Sequence, residues 1–213
     1  MHTKKHGFTI VELLIVVVVI AVLAAITIVS YNGVTERAKN LKTVAAARNY
    51  MTSLQLYYND NGTYPAINIA NGVTDMCLGK IYTVDPTYGP DCITLSPNSV
   101  KNSLGNELNP YSSNNQPEPD ATKYVNGAAS VKGVRLSYLA DQTLDGVSRP
   151  WWLTYVLSGQ PAKNACPVGP VAYGNWNNGS GPMVTTKPSN GFQGDPLGPD
   201  AIQCRVPLKP DKS

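Results

Sequence analysis

The apolar positions of this chain fall into three successive patterns. From Phe8 to Val29, "FTIVELLIVVVVIAVLAAITIV" is mostly apolar, about 22 positions against the roughly 20 needed to cross the hydrocarbon core of a bilayer. Its β-branched run Val16–Val19 would weaken a helix in water. In lipid a helix is nevertheless required, because it alone satisfies every backbone group within one segment. After Gly33 polarity returns, and Leu41, Val44, Ala47, Met51, Leu54 and Tyr58 recur at 3-3-4-3-4 spacing. That spacing draws an apolar stripe along a helix, with Lys42, Arg48, Asn49 and Gln55 on the opposite side. Asn61-Gly62 and then Pro65 are stop signals. A nearly continuous helix from about Phe8 to Tyr58 is predicted, roughly 75 Å long at 1.5 Å per residue. That is too long for a compact domain, so half should protrude and half should pack under a head.

The third pattern is alternation. In "GVRLSYL", Val134, Leu136 and Tyr138 alternate with Arg135 and Ser137, as in a half-buried strand. "WWLTYVL" (Trp151–Leu157) and "AIQCRV" (Ala201–Val206) are further strands, and Asn126-Gly127 suggests a hairpin turn. Asp145-Gly146 and Pro150 punctuate the link between the first two strands. Between Ala66 and Ala121 the chain reads as irregular, with a short helix suggested around Val100–Leu108. The fold class is therefore α+β: a long N-terminal helix packed against a small antiparallel sheet of three or four strands. The divisions are a basic leader (1–7), an apolar helix (8–30), its amphipathic continuation (31–58), an irregular loop region (59–121) and a β head (122–213).

Composition narrows the function. Only 15% of residues are charged, and 18 Gly with 17 Pro suit a turn-rich extracellular module. A net charge of +3, dispersed along the chain, gives no nucleic-acid binding face. Both histidines, His2 and His6, precede Gly7. A cut at Gly7 would remove them, and with them Ser-His-Asp, Cys-His and His-bearing zinc chemistry; no enzyme activity is expected. Removing Lys4 and Lys5 as well takes the charge from +3 to about +1 by subtraction.

Cys77, Cys92, Cys166 and Cys204 contain no C-x-x-C pair. Behind an export segment, an even count reads as two disulfides, for which three pairings are formally possible. The sequential one, Cys77–Cys92 and Cys166–Cys204, is favoured. Its first bridge would close a loop of about 15 residues, worth roughly 3 kcal/mol in the chain-entropy model.

Glu12 is the anomaly of the apolar run. An acid near the centre of a membrane helix costs roughly 2.5–3.5 kcal/mol on insertion scales, so it is a functional candidate with a partner to be named. Neither a secretory signal with a short apolar core nor a plain anchor explains Glu12 together with Gly7-Phe8. "KKHGFTIVELLIVVVVIAVLAA" resembles the class III signal of the type IV pilin superfamily: a basic leader, Gly, Phe, Glu four residues further on, and an apolar run. "YYNDNGTYP" likewise resembles the helix-to-loop junction of pilins and of major pseudopilins of type II secretion.

The resemblance implies that a prepilin peptidase cuts after Gly7 and N-methylates Phe8. The new amine then lies one turn from Glu12, at i,i+4 spacing, or meets Glu12 of a neighbouring copy. Such a buried ion pair adds little net stability but fixes register. It further implies a single-pass precursor in the cytoplasmic membrane with its lysines inside and its head outside. Inner-membrane machinery would draw that precursor from lipid into a helical homopolymer, the pilus. The alternatives are a pseudopilin of a type II secretion system, a minor pilin or a membrane-anchored surface protein. Many members carry a proline where this chain has Val29, so any bend here should be softer and shifted towards Gly33.

Asp195 and Asp200 in "GFQGDPLGPDAIQC" are candidate calcium ligands, since major pseudopilins hold calcium in a C-terminal loop, yet Asp beside Pro is also ordinary turn chemistry. Otherwise no cofactor is expected. Trp151-Trp152 should send at least one ring into the core, since successive strand residues point to opposite faces, the other either covering the helix or remaining exposed as a candidate stacking surface. Asn61-Gly62-Thr63 and Asn178-Gly179-Ser180 match the glycosylation pattern but read as turns.

Overall fold

A computed structural model describes residues 9–65, 75–79, 84–85, 89–90, 92, 108–112, 118–120, 124–126, 129–140, 142–158, 166–169, 173–174, 192–193, 195–196 and 201–209. The chain divides into two compact units, Met1–Ala38 and Lys39–Ser213, to both of which helix α1 (Ile10–Asn61) contributes. α1 continues through Gly33 as helix. It stops where Gly62 takes φ 76° and donates its N–H to Tyr58 O at 2.8 Å, a left-handed glycine cap that satisfies a terminal carbonyl.

In the first unit the apolar side chains of α1 from Ile10 to Ile26, among them Leu13, Val17, Ile20 and Leu23, are exposed. A helix apolar on every side belongs in lipid or among other helices. The 18 residues Ile10–Thr27, at mean hydropathy 3.1, are long and apolar enough to cross a membrane.

In the second unit α1 is amphipathic. Val44, Ala47, Leu54 and Tyr58 are buried and Met51 is partly so, while Lys42, Arg48, Asn49 and Gln55 are exposed. Leu41 departs from the predicted stripe, being 61% exposed. The buried face begins instead at Asn40, whose side chain holds the end of a strand, and runs on through Thr43, Tyr50 and Ser53. Leu41 lies about 100° around the helix from Asn40 and so falls off that face.

Strands β1 (Asp75–Leu78), β2 (Val84–Asp85), β3 (Gly89–Pro90), β4 (Tyr124–Asn126), β5 (Ala129–Val131), β6 (Val134–Tyr138), β7 (Thr143–Leu144), β8 (Val147–Ser148), β9 (Trp151–Ser158), β10 (Tyr173–Gly174), β11 (Phe192–Gln193), β12 (Asp195–Pro196) and β13 (Ala201–Pro207) follow. The main sheet is antiparallel, in the order β1-β6-β9-β13-β12. β6, β9 and β13 match the predicted strands. β1 corrects the irregular reading of residues 59–121: it is a four-residue strand, buried along its whole length, so it shows none of the alternation by which strands are recognised. β4 pairs with β5 through Asn126↔Ala129, the hairpin expected there. Of the helix suggested at Val100–Leu108, residues 100–107 lie outside the described residues. Leu108 is buried and precedes a 3₁₀ turn at Asn109–Tyr111.

The Asp145-Gly146 link is a hairpin in its own right. With φ 48° and 78°, these residues form the two-residue turn between β7 and β8, which needs both centres left-handed and so favours Asp-Gly.

Cross-strand partners sort the sheet into two faces. Val134, Tyr155 and Cys204 share one face with Leu136, Leu153 and Val206, and these residues join Val44, Ala47 and Leu54 in the main core. Tyr58, Tyr64 and Trp151 close one end of it, with ring centroids 5.1 and 5.4 Å apart. The other face carries Asp75, Arg135, Ser137, Thr154 and Gln203, all buried. Buried charges must be paired: Arg135 Nε lies 3.1 Å from Asp75 Oδ1, to which the Ser137 hydroxyl also donates.

Candidate assembly segment and head

The two ends of α1 differ in chemistry. At its start, Thr9 and Glu12 form a reciprocal pair. The Thr9 N–H and Oγ–H donate to Glu12 Oε2 at 2.8 and 2.7 Å, and the Glu12 N–H donates to Thr9 Oγ1 at 3.3 Å. This is a capping box, which satisfies two of the four backbone donors that a helix start leaves free. T-x-x-E ahead of an apolar run is its sequence signature, overlooked when Glu12 is read only against the new terminus. Gly7 and Phe8 lie outside the described residues.

The head is held by chemistry suited to an oxidising compartment. Cys77 pairs with Cys92 and Cys166 with Cys204, the sequential arrangement. The first bridge ties edge strand β1 to Cys92, whose carbonyl accepts from the Lys132 N–H at 3.0 Å. The second fixes the 166–169 turn to β13. There Val168 N–H donates to the Tyr155 hydroxyl at 3.2 Å, and Gly169, at φ 74°, packs so closely on Val206 that no Cβ fits. Burial pushes the Tyr155 phenol well above its ordinary range, partly offset by that bond and by Arg48. Tyr50 is raised by burial and by Glu118.

Asn40 is a second residue that the apolar pattern missed. Its side-chain amide imitates a peptide group at the end of β9: Nδ2–H donates to Ser158 O at 2.9 Å, and Oδ1 accepts from Ser158 N–H at 2.7 Å. A polar residue opening a buried helical face leaves a sequence signal only if a partner is already in view.

Neither tryptophan is a surface platform. Trp151 is in the main core, and Trp152, fully buried, packs with Leu139 and Leu144. Of the two outcomes open to the second ring, covered or exposed, the structure shows the first: both faces of β9 are covered. Asp195 lies in β12, opposite Gln203, and Asp200 is outside the described residues, as is Asn178. Asn61 is the last helical residue, its side chain donating to Tyr57 O. Among the described residues, no group of three or more His, Cys, Asp or Glu could hold a metal.

Residues 2–28 match the prokaryotic N-terminal methylation motif. The chain is 29% identical over 107 residues to a fimbrial protein of Neisseria meningitidis serogroup A, covering 49% of this chain and 63% of that protein. It is 33% identical over 108 residues to a type IV major pilin protein of Neisseria gonorrhoeae, covering 49% and 66%. A type II secretion system core protein G of Escherichia coli K12 is 35% identical over 65 residues, covering 30% and 45%. The chain thus spans somewhat under two thirds of the length of the first of these relatives. No solved structure matches it. This chain carries the N-terminal methylation motif on a long-helix α+β fold, and its relatives are type IV pilins and a type II secretion core protein.

Proposed function

We propose that this chain is the structural subunit of a type IV pilus. The observation that carries this reading is the apolar helix Ile10–Thr27, its side chains exposed in the single chain, inside a methylation motif that includes Gly7 and Phe8. A prepilin peptidase cuts after Gly7 on the cytoplasmic side and methylates Phe8. The apolar helix stays behind in the bilayer, holding the precursor as a single-pass protein with its head outside. Assembly exchanges lipid neighbours for helices of other copies, a trade between similarly apolar surroundings that costs little hydrophobic energy. Direction then comes from packing and from the few polar groups. Glu12 pairs with the amine of a neighbouring subunit and sets axial register, a role for which a buried ion pair suits better than for adding stability. The relatives are named as fimbrial and pilin proteins rather than enzymes, and the reading assigns no catalytic residue.

The test joins two measurements. Mass spectrometry of filaments sheared from cells should show a chain beginning at N-methylated Phe8. Glu12→Ala should be cleaved normally yet yield few filaments; normal yield from that variant would defeat the register role, and an intact leader in the filament would defeat the whole reading. The likeness to a secretion core protein supports a second reading, a pseudopilin of the same construction. Electron microscopy separates the two: long surface filaments containing this chain support the pilus, and their absence supports the secretion piston.

A further inference from the structure

Tyr31 is the one aromatic side chain that the described part of α1 leaves exposed, at 72%, and it stands where the apolar run ends. Phe8 and Tyr31 are the only aromatic residues ahead of Tyr50, one at each end of that run. Among the described residues no hydrogen bond reaches the Tyr31 hydroxyl. The hydroxyls around it differ: Thr27 Oγ–H donates to Ala24 O and Thr35 Oγ–H to Tyr31 O, both at 2.9 Å. Those two are satisfied within the helix, so they fit lipid or its border equally well. A phenol without a partner in its own chain needs an apolar surface for its ring and a wet or polar layer for its tip.

We infer that Tyr31 is the interfacial anchor of the precursor: its ring lies at the outer headgroup layer of the bilayer and fixes the depth of the span. This rests on the reading above of a membrane-anchored precursor cut after Gly7. Charge alone leaves that depth loose. No charged residue stands between Glu12 and Glu36, and the uncharged stretch 13–35 makes about 35 Å of helix. The hydrocarbon core is about 30 Å thick, which leaves roughly one helical turn of play. Val34, apolar and exposed, would sink into the core at one extreme of that play. Depth and tilt are set instead by interfacial Tyr, Trp, Lys and Arg side chains. From Ile10 to Tyr31 the helix measures about 32 Å, so the ring reaches the outer border when the first turn lies at the inner one. Before cleavage, Lys4 and Lys5 anchor the cytoplasmic end. The cut removes both and leaves a single amine there, so Tyr31 carries more of the anchoring and holds each mature subunit at one height.

The experiment places the chain, with its leader and after cleavage by a prepilin peptidase, in vesicles of phosphatidylcholine brominated at shallow, middle or deep positions of the acyl chain. Tyr31→Trp should be quenched most by the shallow bromines. A Val22→Trp reporter, corrected for the chain's own tryptophans with the unsubstituted protein, reads the depth of the span. In the cleaved chain Tyr31→Ala should shift that reporter by about one turn, roughly 5 Å, and in the uncleaved chain by less than half as much. Helix content should not fall, since alanine is the better helix former. An unmoved reporter in cleaved Tyr31→Ala, or a tryptophan at position 31 quenched most by deep bromines, overturns the proposal. An equal shift with and without the leader overturns the sharing of the anchor between Tyr31 and the lysines. Unmoved depth together with a lower filament yield from Tyr31→Ala makes the ring a contact between copies and also overturns it. Failure of the underlying reading looks different: a reporter at position 22 that no bromine quenches, or a chain that the peptidase leaves uncut, defeats the membrane-precursor reading itself.

Discussion

The amide of Asn40 is the contact of the head for which a single substitution has the most defined consequence. Ser158 ends β9 and is buried. Its C=O accepts from Asn40 Nδ2–H at 2.9 Å, and its N–H and Oγ–H donate to Asn40 Oδ1 at 2.7 and 3.1 Å. Asn40→Ala removes all three bonds at once. Each is worth about 0.5–1.5 kcal/mol net, and an abandoned buried N–H or C=O costs about 1–3 kcal/mol on its own. Asn40 is itself only partly buried, so water would reach the vacated space and recover part of that loss. The expected destabilisation is about 2–3 kcal/mol. For a domain of this size, each kcal/mol lowers the melting temperature by roughly 2–4 °C.

Ser158→Ala provides the internal control. It deletes only the hydroxyl bond and should cost about 1 kcal/mol or less. Denaturant unfolding of the detergent-solubilised chain gives both values, and hydrogen exchange at the Ser158 amide reports the bond directly. That amide should lose protection in Asn40→Ala and keep it in Ser158→Ala. Equal effects from the two substitutions, or unchanged protection of Ser158 in Asn40→Ala, would refute the claim that the amide serves as the missing peptide partner of β9.

Two other perturbations probe the head. Gly169→Ala places a side chain on a residue at φ 74° and drives its Cβ into Val206. Left-handed strain and overpacking together predict a loss of roughly 2–5 kcal/mol, read as a lower denaturant midpoint; a wild-type midpoint would refute the close approach. Burial raises the phenols of Tyr50 and Tyr155 above the ordinary value of about 10. A raised folded-state value means that their stabilisation is complete below about pH 10 and fades as pH climbs through the folded-state value. The denaturant midpoint should therefore fall above about pH 10, with two tyrosines ionising only as the chain unfolds. Ionisation of all the tyrosines in the folded chain near their ordinary value would refute this.

Legibility from sequence followed the physics of each element. The apolar span was legible because an all-apolar run of that length has few other fates. β6, β9 and β13 were legible because their residues differ in kind between two faces, or form runs too apolar for a loop. β1 was not: Asp75-Met76-Cys77-Leu78 is short, buried on both faces and set beside a charge whose partner, Arg135, lies far along the chain. The buried face of α1 was legible where it is apolar and shifted where it is polar. An apolar pattern favours Leu41 over Asn40 because it equates apolarity with burial, and the partner that makes Asn40 a buried-face residue is Ser158, on a distant strand. Thr9 differs in kind: T-x-x-E is a local and complete signal, and the charge of Glu12 by itself says nothing of the residue that caps with it.

The buried polar face of the sheet has a consequence for strand register. Pairing Cys77 with Arg135 and Asp75 with Ser137 places the Asp75 carboxylate beside the Arg135 guanidinium and the Ser137 hydroxyl. Ser137 in turn lies 3.2 Å from Thr154 Oγ1 on β9. A slip of one residue exchanges the faces of a strand. It would carry Asp75 into the apolar layer against Leu136 and Leu153 and leave Arg135 without its carboxylate, breaking a buried pair at a cost of about 3–5 kcal/mol. The same slip would turn Met76 and Leu78 out of the main core onto the face of Arg135, Ser137 and Thr154, so apolar contacts and the ion pair favour the same register. The ion pair and the apolar face thus specify one register together, and the Cys77–Cys92 bridge ties the strand in that register to Cys92.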